Sequence, residues 1–190
     1  MQTRILTEIH PSMSNFLRNA WYVAALSPEV GRSLLPLKLL GDAVVVYRCA
    51  DGRPVALEDA CPHRKLPLSM GRLKGDAVEC GYHGLTFDGS GRCIDAATQD
   101  RIPPNAGVRS YPVQDRYGLL WIWMGEPAGA LAQDVIDIPD HDNPSWHLTQ
   151  GDRLHCACPR VRHETPALDP KSALHLIQIN SLAREFMKLL

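Results

Sequence analysis

The sequence lacks several features that would place it in common functional classes. None of its apolar runs approaches the roughly 20 residues that a membrane-spanning helix needs, and residues 1–10 lack the apolar core of a secretory signal. The 20 basic residues are matched by 21 acidic ones, so no excess of positive charge is present to bind nucleic acid or an anionic membrane. We therefore expect a cytoplasmic protein that binds neither nucleic acid nor membrane.

The cysteines show no disulfide framework either. Two of the six belong to a motif described next, and the other four, Cys49, Cys93, Cys156 and Cys158, have no regular spacing. We expect reduced thiols. With 190 residues the chain is long enough for one domain with a substantial core and short for two.

The most informative feature is a pair of short motifs that each contain one cysteine and one histidine. Cys61 and His63 form the first motif, Cys80 and His83 form the second, and 16 residues separate His63 from Cys80. Two thiolates and two imidazoles are the ligands of a [2Fe–2S] cluster in which the cysteines hold one iron and the histidines hold the other. The pattern therefore predicts that these four residues bind such a cluster.

A structural zinc site is the alternative that the same residue types leave open. Zinc sites usually place two cysteines first and two histidines later, whereas the order here is Cys, His, Cys, His. Colour separates the two possibilities, because an iron–sulfur protein is red-brown and a zinc protein is colourless.

The rest of the pattern from residue 15 to residue 127 is typical of an all-β domain. Short apolar runs alternate with turn signals, and we predict that the apolar runs form strands. Trp121 and Trp123 fall on one face of the last strand by period-two alternation, and we interpret them as core residues rather than an electron conduit. The predicted strands lie within residues 37–48, 55–58, 77–79, 108–113 and 119–123.

Both ligand motifs are predicted to lie in hairpin loops at the tip of this sheet. Pro62 and Pro67 should stiffen the first loop, and Gly81 and Gly84 should let backbone N–H groups approach the cysteine sulfurs. Tyr82 is either a hydroxyl donor near the cluster or an aromatic lid over it.

These residues resemble the N-terminal domain of Rieske non-haem iron oxygenases, and are most similar to the vanillate O-demethylase branch. Five stretches carry the resemblance: NAWYVA at 19–24, EDACPHR at 58–64, PLS at 67–69, CGYHGL at 80–85 and YGLLWIW at 117–123. The resemblance implies an antiparallel β-sandwich of the Rieske type with two cluster-binding loops. It also implies a relay that accepts electrons from a flavin and iron–sulfur reductase, for O2-dependent oxidation at a mononuclear iron in a second domain.

That second iron site is not found in this sequence. Relatives often begin it with Asp-x2-His-x4-His. No two of the eight histidines are five positions apart, and His163 has Arg160 and Leu168 where the aspartate and second histidine would stand. We expect that this chain lacks the catalytic iron, and with it most of the interface through which full-length relatives form homo-oligomers.

Residues 128–190 are predicted to be a linker and an atypical tail. Residues 151–163 resemble neither the family nor a regular strand or helix, so we interpret the tail as the product of a truncation or frame shift. His155, Cys156, Cys158 and His163 could imitate a zinc site. Apolar residues at intervals of three and four predict a terminal helix over residues 172–190.

Two functional interpretations therefore stand beside the zinc module. The first is the electron-relay domain of an aromatic-compound monooxygenase or O-demethylase, and the alternative is a stand-alone Rieske ferredoxin. High-potential Rieske proteins carry an extra cysteine in each ligand loop, and neither loop here has one. We therefore expect a reduction potential toward the bottom of the roughly −150 to +300 mV range of Rieske centres.

Overall fold

The computed structural model describes residues 16–97, 101–102, 104–138 and 141–145. The tail at residues 151–190, with its predicted helix and its possible zinc ligands, lies outside the described residues. Helical structure in the described part is limited to four short 3-10 turns, Ser27–Glu29, Leu68–Met70, Pro127–Gly129 and Ala132–Asp134. The all-β prediction is confirmed.

The described chain contains three antiparallel sheets, with strand orders β1-β11-β10, β2-β3-β4-β9 and β5-β6-β7-β8. The strands are β1 (Trp21–Leu26), β2 (Leu35–Leu39), β3 (Asp42–Arg48), β4 (Pro54–Glu58), β5 (Arg72–Lys74), β6 (Ala77–Glu79), β7 (Leu85–Phe87), β8 (Cys93–Ala96), β9 (Ser110–Tyr111), β10 (Val113–Arg116) and β11 (Leu119–Trp123).

In the sheet β2-β3-β4-β9, which we call the middle sheet, the central strands β3 and β4 are buried on both faces, which explains the continuous apolar run in β3. Val45 and Tyr47 point into a core shared with Phe87 of the third sheet. Val44 and Val46 alternate with them and pack in a second core, which includes residues of β11. All four side chains of this run have 0% exposure. Burial of each such side chain contributes about 1.5–3 kcal/mol, so this strand anchors the domain.

Two hairpin turns depend on left-handed backbone at paired positions. Leu40 and Gly41, between β2 and β3, have φ values of 50° and 90°. Tyr117 and Gly118, between β10 and β11, have φ values of 61° and 70°. Turns with two positive φ values match the right-handed twist of antiparallel strands. The turn at Leu40 and Gly41 divides the predicted segment 37–48 between β2 and β3, a break that Gly41 and Asp42 signal in the sequence.

Trp121 and Trp123 are both buried, as predicted, and they share one face of β11. The segment after the strand covers Trp123, which donates its indole N–H to the carbonyl of Glu126 at 2.9 Å and has Gly129 against its ring. The chain continues to pack on the strands as far as Val135, which is 1% exposed. The domain boundary at residue 127 stays a prediction.

Across the part of the chain that the structure describes, no helix is long and apolar enough to span a membrane.

Candidate metal centre

The middle sheet and the third sheet each deliver one ligand loop. Strand β4 ends at Glu58 and leads into the first loop, residues 61–66. Strand β6 ends at Glu79 and leads into the second loop, residues 80–85, which closes directly into β7. Both cysteines lie 2% exposed in the core between these sheets, together with Leu68 and Phe87. The loops are therefore anchored on rigid elements.

The two loops share one hydrogen-bond pattern. In the first, the N–H of Cys61 donates to the carbonyl of Leu66, and the N–H of Lys65 donates back to the carbonyl of Cys61, both at 2.8 Å. In the second, Cys80 donates to Leu85 at 2.8 Å, and Gly84 donates to Cys80 at 3.1 Å. The fifth residue of each loop has left-handed backbone, with φ 57° at Lys65 and φ 70° at Gly84. The chain thus builds the same turn twice.

The two thiols lie close enough together for the Cys80 thiol to influence the ionisation of Cys61, as the backbone N–H groups of His63 and Arg64 also do. Burial is the largest cause of the raised pKa of Cys61; the N–H of His63 acts against it, and the Cys80 thiol raises the pKa further. Metal binding here must therefore displace a proton from the Cys61 thiol.

The imidazoles face one another. The Nδ1 atoms of His63 and His83 are 3.1 Å apart, and the ring centroids are separated by 4.5 Å. Two nitrogens that bind one tetrahedral metal ion at about 2.1 Å lie roughly 3.4 Å apart, so the observed separation fits a shared ion. Desolvation, the neighbouring His63 ring and the charge of Arg64 lower the pKa of His83, a direction that favours the neutral ring that binds metal.

The four predicted ligands thus come together as a sulfur pair and a nitrogen pair. Within the described residues, no group of three or more His, Cys, Asp or Glu side chains surrounds a point where a single ion would bind. A structural zinc ion needs four donors about one point. A [2Fe–2S] core takes two sulfurs at one iron and two nitrogens at the other, and the donor set fits this second arrangement.

Asp59 and Ser69 hold the first loop, and residue patterns had not identified this role. The carboxylate of Asp59, which is 6% exposed, accepts hydrogen bonds from the backbone N–H of Ser69 at 2.7 Å and from its hydroxyl at 2.6 Å. The N–H of Asp59 donates to the carbonyl of Ala43 on β3 at 3.0 Å. These hydrogen bonds, which we call the carboxylate clamp, join the segments before and after the first loop and tie them to the middle sheet. An acidic residue two positions before the first cysteine was the available signal.

The two glycines of the second loop are needed for close packing. A Cβ atom on Gly84 would lie 2.6 Å from the Cβ of Ala97, and one on Gly81 would lie 3.0 Å from the carbonyl oxygen of Met70. The left-handed φ of Gly84 adds a conformational reason for glycine there. The predicted effect of these glycines on N–H contacts to sulfur stays a prediction.

Tyr82 lies over an imidazole. Its ring centroid is 3.9 Å from that of His83, and the residue is 56% exposed. No described residue accepts or donates a hydrogen bond at its hydroxyl. This arrangement favours the aromatic-lid interpretation over the hydroxyl-donor one.

Glu79, directly before Cys80, is the acidic residue at the start of the second loop. Its side chain is 12% exposed and forms ion pairs with Arg72 at 2.5 Å and with Lys74 at 3.8 Å. Both cations come from β5, the neighbouring strand. The buried carboxylate beside the second cysteine is therefore neutralised by charges that reach it from the surface.

Comparisons with known proteins agree with this geometry. Residues 20–112 match the family model of the Rieske [2Fe-2S] domain. The chain is 47% identical over 137 residues to the iron–sulfur subunit of the toluene-4-sulfonate monooxygenase system of Comamonas testosteroni, which covers 72% of this chain and 40% of that protein. It is 42% identical, over the same shares of each protein, to the oxygenase component of dicamba O-demethylase from Stenotrophomonas maltophilia.

The vanillate O-demethylase oxygenase subunit of Pseudomonas sp. strain HR199 is 36% identical over 143 residues, which cover 75% of this chain and 40% of that protein. Among solved structures, dicamba monooxygenase bound to 3,6-dichlorosalicylic acid superposes with a TM-score of 0.65 at 43% identity, over 68% of this chain and 38% of that one. The chain therefore spans about 40% of the length of these curated relatives.

Proposed function

This chain contains a Rieske [2Fe–2S] domain related to those of oxygenase components, and from that premise we propose that it is the electron-relay part of an aromatic-compound monooxygenase or O-demethylase. Cys61 and Cys80 would hold one iron of the cluster, and His63 and His83 would hold the other. The observation that carries the proposal is the separation of the four donors into a sulfur pair and a nitrogen pair.

When bound, the cluster would supply one-electron transfer. The protein contributes a rigid site, because both ligand loops are closed by their own backbone hydrogen bonds and stand on buried strands. The four ligands also differ in their exposure to solvent. The cysteines are buried, whereas His63 is exposed and His83 is half-buried. Electrons would therefore enter and leave at the histidine side.

The partners in this proposal are a reductase and a catalytic centre. A flavin and iron–sulfur reductase would supply electrons from NAD(P)H, in the cytoplasm where that donor is present. The catalytic centre would be a mononuclear iron that activates O2, in the same oligomer. Substrates are proposed only as a class, aromatic compounds, after the sulfonate, dicamba and vanillate enzymes to which the chain is similar.

Metal analysis of the purified chain tests the cluster directly. The chain is purified anaerobically, iron, zinc and acid-labile sulfide are counted, and the EPR spectrum is recorded after dithionite reduction. We expect about two irons and about two sulfides per chain and a rhombic spectrum of a reduced Rieske centre. One zinc without sulfide would overturn the proposal. Three irons would mean that a catalytic site had been overlooked in the tail.

Potentiometry tests the expected class of Rieske centre. We expect a potential near the lower end of the roughly −150 to +300 mV Rieske range, and a value near its upper end would contradict that assignment. The alternative of a stand-alone ferredoxin predicts the same cluster. The relatives reported above are oxygenase components, which supports the relay of an oxygenase over the free carrier.

A further inference from the structure

The two ligand loops stand on different sheets, so their relative position depends on how those sheets are joined. Cys61 follows β4 of the middle sheet, and Cys80 follows β6 of the third sheet. The carboxylate clamp joins the sheets beside the first loop, because Ser69 lies in the 3-10 turn that leads into β5. A second joint lies at Asp76, in the turn between β5 and β6, which is at the opposite end of β6 from Cys80.

Four hydrogen bonds converge on Asp76 and the residue before it. The N–H of Ala50 and the guanidinium of Arg32 each donate to Oδ1 of Asp76 at 2.8 Å. Arg32 also donates to the carbonyl of Gly75 at 2.7 Å, and the hydroxyl of Tyr47 donates to the carbonyl of Asp76 at 2.9 Å. We call these contacts the Asp76 joint.

All the donors of the joint belong to the middle sheet or are bound to it. Tyr47 lies near the end of β3 and is 0% exposed, so its hydroxyl reaches the third sheet from within the core that the two sheets share. Ala50 lies in the turn between β3 and β4, at the opposite end of β4 from the first ligand loop. The segment that carries Arg32 is bound to β3, because the N–H of Arg48 donates to the carbonyl of Gly31 at 2.7 Å.

Other hydrogen bonds between the two sheets start from the edge of the middle sheet. The hydroxyl of Ser110 donates to the carbonyl of Gly89 at 3.2 Å, and the N–H of Val108 donates to the carbonyl of Gly91 at 2.8 Å. Both donors lie in or beside the short edge strand β9. The Asp76 joint instead holds β3, a central strand, to the third sheet.

Two joints at opposite ends can fix the angle between two sheets, whereas a single joint leaves a pivot. Apolar packing is non-directional, so it fixes that angle less sharply than hydrogen bonds do. Each donor pair takes one atom from each loop, as the Nδ1 atoms of His63 and His83 do at 3.1 Å. Metal–ligand distances vary by only about 0.2 Å. A small rotation of the third sheet about the carboxylate clamp would therefore disturb the sulfur pair and the nitrogen pair together.

We propose that the Asp76 joint positions the two ligand loops relative to each other, so that Asp76 and Tyr47 are positioning residues for the cluster although they act at the opposite end of the sheets. This inference rests on the proposed function, since it assumes that both loops hold one cluster.

The test compares variants of the joint in the cluster-loaded chain. Asp76→Ala removes the two hydrogen bonds to Oδ1, and Tyr47→Phe removes one hydroxyl while it keeps the buried ring. Both should broaden the EPR lines of the reduced cluster, because the ligand geometry then varies between molecules. Both should also release iron to a ferrous chelator about tenfold faster than the wild type does. Asp76→Asn keeps Oδ1 as an acceptor and should restore narrow lines and slow release.

Asp115→Ala is the matched control, because it breaks a similar set of contacts between other sheets. Asp115 of β10 accepts hydrogen bonds from the guanidinium of Arg48 and the hydroxyl of Ser27, and its side chain is 34% exposed, against 46% for Asp76. It ties the first sheet to the middle sheet. Asp115→Ala should lose stability to urea as Asp76→Ala does, yet keep wild-type EPR lines and release iron within about twofold of the wild-type rate.

The inference is overturned if Tyr47→Phe and Asp76→Ala keep wild-type lines and iron release, if Asp115→Ala changes them as much, or if Asp76→Asn behaves as Asp76→Ala does. Should Asp76→Ala fail to fold, Tyr47→Phe decides, since its core packing is retained. Iron and sulfide counts separate this inference from the proposed function. A wild type without a cluster ends both, whereas loaded variants that match the wild type end the positioning role alone.

Discussion

The two ligand loops have the same backbone hydrogen bonds and are held by different means. The second loop joins two paired strands, with Val78 opposite Phe87 and Glu79 opposite Thr86. The first loop leaves a strand but returns into Pro67 and a 3-10 turn, so no strand pair closes it. The Asp59 carboxylate takes the place of that pairing. One turn geometry can thus be maintained either by a backbone ladder or by a buried side chain.

The loops also differ in the position of their histidine ligand. Histidine is the third residue of the first loop and the fourth residue of the second. With the same backbone hydrogen bonds in each loop, this offset lets two loops that approach from different sheets direct both Nδ1 atoms to positions 3.1 Å apart. The comparison leads to four predictions, given from the largest expected effect to the smallest.

If both loops hold the same cluster, removal of either cysteine should abolish it. Cys61→Ala and Cys80→Ala should each reduce iron from about two per chain to nearly none, because one iron would keep a single thiolate. Metal analysis and visible absorption measure this. Cys93→Ala, a change at a buried cysteine of β8, is the control and should retain the cluster. Retention of iron in either loop variant would show that the two loops do not act together.

The second loop should be intolerant of a side chain at its fifth position. In Gly84→Ala the new Cβ would lie 2.6 Å from Ala97 at a φ of 70°, and we expect a loss of about 2–4 kcal/mol from strain and overpacking. Urea denaturation, followed by the cluster absorption, measures the change. Gly118→Ala has the same φ of 70° but open space around it, so a loss of about 1 kcal/mol is expected. Equal losses would mean that packing against Ala97 does not matter.

The first loop should depend on its carboxylate clamp. Asp59→Ala removes both hydrogen bonds to Ser69 and should cost about 2 kcal/mol, with broadening of the EPR signal if the ligands become less ordered. Ser69→Ala removes the hydroxyl and keeps the backbone N–H as a donor, so about 1 kcal/mol is expected. A Ser69→Ala effect as large as that of Asp59→Ala would assign the stabilisation to the hydroxyl alone.

The smallest expected effect is a gain in stability. Lys65 occupies the left-handed position that glycine occupies in the second loop, and its ion pair with Glu58 is exposed and 3.8 Å long. Lys65→Gly should therefore stabilise the chain by about 0.5 kcal/mol, since relief of backbone strain outweighs a weak ion pair. Lys74→Gly, within β5, should destabilise it instead. A loss at both positions would show that the Lys65 side chain is needed where it stands.

Much of the fold followed from local patterns, and the exceptions have identifiable causes. The apolar run at residues 43–47 predicted a buried strand, which β3 is. Its pattern could not tell which sheets cover its two faces, because both partners are distant in sequence. The turn at Leu40 and Gly41 was missed although Gly41 and Asp42 are usual turn residues, because the apolar residues on both sides favour a single strand.

The roles of polar residues were the hardest to infer. Asp59 looks like an ordinary loop residue until Ser69, ten positions later, is brought back to its carboxylate.

The sequence alone determined the set of ligands, two thiols at positions 61 and 80 and two imidazoles at positions 63 and 83. This set indicates the kind of metal centre to expect. That sulfur meets sulfur and nitrogen meets nitrogen was decided by tertiary structure. Spacing along a chain specifies which ligands a loop offers, whereas the orientation of two loops on separate sheets depends on how those sheets pack around a common core.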